Sequence, residues 1–504
     1  MAFHGIRATE ISTDKTISAL IANGTSIVGR ASIPTTAALP VVVGRAPVHL
    51  TDNPKKYVNK AVICYSFDDA VEALGYSDDW NDFELCEVMF SEFKLYGARP
   101  VVFINVFDPA THKTSVSGQS YDVADNEVTI NDSALLDSLI IKANSYTTTA
   151  AVRDIDYTAE YNSEGKVTVS LIDDGILADM TSIYISYEKV NPSAVTYTDI
   201  IGGMSNNGTT KGLELVDMIY TQFGMVPGII ASPGWSENPT VAAVMKAKAE
   251  KVSTIFPCIC LTDIDTNAVR KYGEAYNWKS ANGYNAANQV VCWPCVRNGD
   301  KIFHMSTHLM GVIAVMDSEN DDIPYMSPSN HSMQATGLCL KDGTEILLSI
   351  DQADLLNDQG IVTGLNFSGG FKIWGNYTAV YPSSSDPKDI FICCRRMFDW
   401  QRRTFIQNYW QYVDQPLIPR VVRALVDNEK IRLNSLVSRG FLLYADVQFY
   451  EEENPLDDLL AGKLRLHVTM TPPVPAQMIE EVVEYDVTAY TTLLETISGV
   501  GEIQ

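Results

Sequence analysis

Between positions 213 and 296 the chain alternates between helical and strand patterns, and this alternation limits the possible fold more than any other feature. LELVDMIYTQFG, NPTVAAVMKAKAEKV and TNAVRKYGEAYNW read as helices, while PGIIAS, TIFPCICLT and NQVVCWPCV are short apolar runs of the kind found in fully buried strands. Strands without polar alternation need cover on both faces, and the intervening helices can supply it. The same texture occurs earlier, where LPVVVGRA and ARPVVFINVF bracket the helical patterns FDDAVEALG and LCEVMFSEFKLYG. The expected fold class is therefore mixed α/β, its core built from N-terminal and C-terminal parts of the chain.

What interrupts the two parts is different in kind. From about 109 to 198 polar runs rich in Thr, Ser, Asn and Asp carry alternating strands such as KVTVSL and SIYISY, a small β-rich insertion. The expected organisation is an N-terminal arm (1–20), an α/β domain in two pieces (21–108 and 199–350), the insertion (109–198), a C-terminal domain (351–478) and a closing strand arm (479–504). The C-terminal domain opens on a capped helix, SIDQADLLNDQGI, and an aromatic strand, GGFKIWGNYTAVYP. Two long helices follow, over 391–413 and 417–440, the first with Phe398, Phe405, Tyr409 and Tyr412 near helical spacing. The closing IEEVVEYDVTAY alternates Val483, Tyr485, Val487 and Ala489 with Glu484, Asp486 and Thr488, the period of a strand, and such a strand needs a partner for its backbone. The prolines of TPPVP just before it make a stiff extended connector.

Composition excludes several function classes. With 37 Lys and Arg against 62 Asp and Glu, the net charge of −25 disfavours direct binding to nucleic acid or an anionic membrane. The N-terminus lacks the basic and apolar regions of a secretory signal, and the apolar run LMGVIAVM is too short to span a bilayer, so cytoplasmic synthesis and folding are expected. No phosphate-binding loop, dinucleotide fingerprint or nucleophile elbow follows a strand. His304 and His308 stand at i and i+4, but no nearby Glu completes a metalloprotease motif, and Ser232 in SPGW has no identifiable base. No cofactor, metal or catalytic residue is expected. CWPC, Cys292 to Cys295, can be read as structural thiols, a disulfide or half of a zinc site. Its place in an apolar strand, not at a helix N-terminus, favours structural thiols.

One stretch runs against the acidic background. From 395 to 439 nine basic residues face four acidic ones, a local +5. Such an island on helices is either a solvated face with internal pairs or a docking face for an acidic partner.

The order of features resembles the tail sheath proteins of contractile phages and related contractile injection systems. The matching stretches are FHGIRATEIS, PGIIASPGW, HLMGVIAVMD followed by PYMSPSN, LLNDQGIVTGLNFSGGFKIWGNYTAVYP, FICCRRMFDWQRR and PAQMIEEVVEYDV. They cover nearly the whole chain apart from the insertion. The resemblance implies a structural protein and not an enzyme: stacked hexameric rings, a helical homopolymer around an inner tail tube, contracting to drive the tube through a cell envelope. It implies self-association, contacts with the tube, baseplate and tail terminator proteins, no direct nucleic-acid contact and no membrane insertion. Localisation would be the virion tail, assembled in the host cytoplasm. It also implies strand exchange between neighbours, for which the candidates are Phe3, Ile6, Ala8 and Ile11 in the N-terminal arm and Val483, Tyr485 and Val487 in the C-terminal one. The tube-facing part falls in the C-terminal domain, which makes Arg395, Arg396, Arg402, Arg403, Arg420 and Arg423 the candidate tube-facing patch, and the insertion would face outward. Cys292, Cys295, Cys393 and Cys394 lie outside the family pattern and are candidates for inter-subunit disulfides. The rival from another class is a soluble α/β enzyme with a β-rich accessory domain.

Overall fold

The computed structural model describes residues 6–9, 18–21, 37–204 and 208–499. Its centre is a six-stranded sheet of β1 (Pro40–Gly44), β2 (Ala61–Cys64), β3 (Val101–Asn105), β4 (Ile229–Ala231), β5 (Ile259–Asp263) and β6 (Gln289–Cys292). The strand order is β6-β5-β4-β1-β3-β2, parallel throughout except for the antiparallel edge strand β2. Every residue of β1, β3, β4, β5 and β6 is buried, which is why these strands read as unbroken apolar runs. The β-rich insertion separates β3 from β4, and the chain returns on the opposite side of β1.

Helices cover the sheet. They include α1 (Phe67–Leu74), α2 (Glu84–Met89), α3 (Pro239–Glu250) and α4 (Met305–Glu319). Ser66 caps α1, its hydroxyl accepting from Asp69 N at 3.1 Å, and Asn238 caps α3 with Pro239 at the first helical position. The run LMGVIAVM belongs to α4, most of whose residues are buried, so its apolar character serves the core. NQVVCWPCV is not one strand as expected: β6 stops at Cys292 and a separate strand, Cys295–Asn298, joins a different, four-stranded sheet. Pro294 has no N–H to give to a continuing ladder.

The β-rich segment consists of two three-stranded antiparallel sheets. One places Ser182–Val190 between Lys113–Asp122 and Ile140–Lys142, the other Val167–Leu171 between Glu127–Ile130 and Tyr157–Tyr161. Alternate residues point inward and form a core of their own around Ile130, Ile141, Val167, Val169, Ile183 and Ile185. Its two ends meet, since Asn191 N donates to His112 O at 2.8 Å.

In the C-terminal part α5 (Ile392–Tyr409) and α6 (Pro419–Ser438) lead into an antiparallel hairpin of Tyr444–Gln448 and His467–Thr471. After Thr471 the chain has no regular structure until α7 (Thr488–Gly499). The alternation at 483–489 therefore forms no strand within the chain: Val483, Tyr485 and Val487 are 81%, 72% and 65% exposed. Asp486 Oδ1 instead accepts from Thr488 N at 2.8 Å and starts a helix where the strand was expected to continue. Near the other terminus Ile6–Thr9 pairs with Ser18–Ile21 of the same chain, Ile6 opposite Ile21 and Ala8 opposite Ala19. Phe3 and Ile11 lie outside the described residues.

Candidate assembly surfaces

The six arginines expected to form one patch divide sharply. Arg395, Arg396 and Arg403 are buried. Arg395 donates to Asp399 at 2.9 Å and to Asp389 at 3.1 Å, and Arg396 makes a two-point pair with the buried Asp317. Arg403 donates to the carbonyls of Pro227 at 3.0 Å and Ala37 at 3.2 Å, so α5 is pinned to the segments entering β4 and β1. Arg402 is partly covered, 3.8 Å from Asp399, and Arg420 and Arg423 are exposed on α6. The expected patch is thus corrected: half of it is internal wiring, because Asp317, Asp389 and Asp399 neutralise guanidinium groups that burial would otherwise leave uncompensated.

The cysteines are corrected in the same way. All nine are free and buried, including Cys292, Cys295, Cys393 and Cys394, so none of these four presents a thiol to a neighbour. Burial holds the thiols of Cys292 and Cys295 well above their ordinary range, in the unreactive neutral form.

Polar groups that could have carried chemistry are structural. Ser232 Oγ donates to Val43 O at 2.7 Å across the β4–β1 pair. His304 precedes α4, its N–H donating to Glu87 Oε1 at 2.7 Å and its Nδ1 lying 2.8 Å from Glu87 Oε2. Thr307 Oγ1 donates to the same carboxylate, and Asp263 accepts from Ser306 N at 3.0 Å, so two carboxylates satisfy the N-terminal amides of α4. His308 faces Tyr96 OH at 2.7 Å instead of sharing a ligand with His304. Among the described residues no cluster of His, Cys, Asp and Glu could hold a metal ion.

What the surface does offer is unfinished backbone. In the hairpin Ala445, Val447, Val468 and Met470 are buried, and among the described residues each strand pairs only with the other. Two outer strand edges are thus left with open N–H and C=O groups. Tyr377 OH donates to Gln477 Oε1 at 2.8 Å and Gln477 Nε2 to Asn376 Oδ1 at 3.0 Å, fixing where the tail departs. From Met478 to Leu494 the tail is exposed.

A chain built this way has known relatives. It is 25% identical over 422 residues to the tail sheath protein of Burkholderia phage BcepMu, a match spanning 80% of this chain and 84% of that protein. Over most of its length the chain is similar to phage tail sheath proteins. The tail sheath protein of Escherichia phage P2 is 26% identical over 288 residues, 56% of this chain and 69% of that one. Among solved structures, the contracted helical sheath of the anti-feeding prophage matches 92% of the chain and 99% of its own with a TM-score of 0.56 at 16% identity. The contracted sheath of the extracellular contractile injection system PVC matches 97% and 99%, with a TM-score of 0.55 at 14% identity. No protein-family model matches the chain. The mixed α/β fold is therefore one that contractile sheath proteins share, and the curated relatives are named as tail sheath proteins. Among the described residues no helix is long and apolar enough to cross a membrane.

Proposed function

We propose that the chain is the repeating subunit of a contractile sheath, stacked as hexameric rings around an inner tail tube, whose contraction drives the tube through the envelope of a target cell. The observation that carries this reading is the hairpin of Tyr444–Gln448 and His467–Thr471, open at both edges, in a chain whose own C-terminal arm stands exposed with alternating apolar side chains. An extended arm added to such an edge gains main-chain hydrogen bonds, and its alternate side chains set the register. Val483, Tyr485 and Val487 are the proposed inward-facing residues of that added strand. The hairpin holding Ile6 and Ala8 has two strands among the described residues, marginal by itself, and is the proposed counterpart at the other terminus. Arms shared in this way keep neighbours tethered while the globular bodies move.

Arg420 and Arg423 are what remains exposed of the tube-facing patch, with Arg402 at its margin, and an acidic tube surface is their proposed partner. Baseplate and tail terminator proteins would contact the ends of the polymer, in a particle assembled in the host cytoplasm, and the insertion would face outward. Negative-stain microscopy of the purified chain tests the reading. Striated tubes or cogwheel-like rings are expected, and deletion of 479–504 should leave a folded monomer that forms neither. Ordered tubes from the deleted chain would refute strand exchange by this arm.

A further inference from the structure

The strongest unassigned feature is a largely apolar groove of about 620 Å³ on the C-terminal part, lined by Leu417, Ile418, Val422 and Val426 on one side and by Phe449, Leu459, Leu460 and Leu464 on the other, with Arg423 and Asp427 as its charged lining. One wall is the start of α6 and the residues leading into it. The other is the connection between the two hairpin strands, which carries the short helix Leu456–Leu460. Leu417, Ile418 and Phe449 are each about two-fifths exposed, and Leu460 is 77% exposed, so the groove is open to solvent. A contiguous apolar trough of this kind marks a binding surface.

A matching shape is present in the same sequence. Along α7, Tyr490, Leu493, Leu494 and Ile497 recur at i, i+3, i+4 and i+7, and they are 60%, 51%, 65% and 60% exposed. That spacing puts the four on one face of the helix, the pattern by which an amphipathic helix fills a groove. We propose that α7 of one copy seats its apolar face in this groove of a second copy, as an anchor immediately beyond the exchanged strand.

Two observations favour a second copy over the chain's own groove. The tail is held at Gln477 by Asn376 and Tyr377, beside the N-terminal end of α5, where Ile392 N donates to Asn376 O at 3.0 Å. The groove begins with Leu417 and Ile418, past the other end of α5, and an 18-residue helix is about 27 Å long. The eleven residues from Gln477 to Thr488 reach at most about 36–40 Å, so return to the same subunit would use roughly two-thirds or more of that reach. The second observation is continuity. Phe449 directly follows one hairpin strand and Leu464 lies shortly before the other, so a strand formed by 483–487 on that hairpin would deliver the next residues, which are α7, to the adjoining groove. The proposal rests on the strand-exchange reading in that respect, yet it makes a separate demand on different residues.

Full-length variants with one added cysteine each test it, because the nine native thiols are buried. Leu460→Cys and Leu494→Cys chains, mixed during assembly and oxidised, should give a covalent dimer on non-reducing gels that neither variant gives alone. A double variant L460C/L494C should give a ladder of oligomers. Absence of the mixed dimer, or cross-linking of the double variant only within one chain, overturns the proposal. Deletion of 488–504 separates it from strand exchange: loss of tubes, or tubes that fall apart at lower denaturant than wild type, is expected. If that chain forms tubes as robust as wild type while deletion of 479–504 abolishes them, the helix anchor fails and strand exchange stands. If both deletions leave tubes intact, both readings fall.

Discussion

Arg396 and Asp317 are buried and paired, and this pair shows why charge along a sequence does not translate into charge on a surface. The +5 stretch is visible in composition, but Arg396 finds its partner 79 residues away, and nothing at that spacing distinguishes it from the exposed Arg423. Arg396→Met leaves a buried carboxylate unpaired and should cost about 3–5 kcal/mol in chemical denaturation. Adding Asp317→Leu should recover much of that loss, since the penalty belongs to the uncompensated charge. His304 permits a second test at the same scale. Burial alone would lower its pKa, but Glu87, with Asp263 and Glu237, lifts it to about 9. The folded state thus binds a proton more tightly than the unfolded chain. The resulting stability is fully present below pH 6.5 and is lost as pH rises towards 9, by on the order of 3 kcal/mol. Glu237, pushed up by burial to about 7, adds a decline of the same sign between about pH 4.5 and 7. A pH series of melting temperatures should show the fall from 6.5 to 9 in the wild type and a flatter curve for His304→Gln. An unchanged slope in the variant would mean that His304 is not the proton site.

At the scale of elements, the parallel strands are the easiest to read, because a strand buried on both faces has little choice but to be apolar: β1, β3, β4 and β6 fall within runs identified from sequence, and β5 overruns its run by Asp263 alone. The C-terminal arm was read less well. Its strand period at 483–489 is real, but period reports which side chains share a face and not whether a partner exists, and none is supplied among the described residues. The helix after it was missed, although Tyr490, Leu493, Leu494 and Ile497 at i, i+3, i+4 and i+7 were the available signal. Thr488, Thr491, Thr492 and Thr496 masked it by favouring the strand reading. Helix α4 allows a prediction in which local propensity and packing point in opposite directions. Alanine is the better helix former at Gly311 by about 1 kcal/mol, but its Cβ would come within 2.3 Å of Tyr96 Cδ2. Gly311→Ala should therefore destabilise, by about 1–3 kcal/mol, because the ring is held against α4 by the contacts of its hydroxyl with His308 and with Gln334 N. A melting temperature at or above wild type would show that Tyr96 can move aside without loss.

For the whole molecule the question is how separable the insertion is from the sheet it interrupts. Apart from Val190 and Leu135, which pack with the main core, its buried apolar side chains close on a core of their own, and its chain ends meet at the hydrogen bond between Asn191 and His112. Its ties to the body include the ring contact of Tyr161 with His49, at 6.2 Å between centroids, and Gly165 set against the Leu50 side chain. Arg45, which donates to Pro192 O at 2.9 Å and pairs with Glu84, lies at the boundary, so Pro192 belongs with the body. Replacement of 113–190 by an Asn-Gly turn should then leave β1, β3 and β4 in register. A turn of that type joins ends already at hydrogen-bonding distance without splaying them. The shortened chain should unfold cooperatively, with a melting temperature within several degrees of wild type, and should still form tubes, since the arms, the open hairpin and the groove all lie outside the excised segment. Circular dichroism and negative-stain microscopy of the same preparation distinguish the outcomes. A folded monomer without tubes would place an assembly contact on the insertion, whereas an unfolded chain would mean that the insertion is needed to hold the two halves of the sheet together.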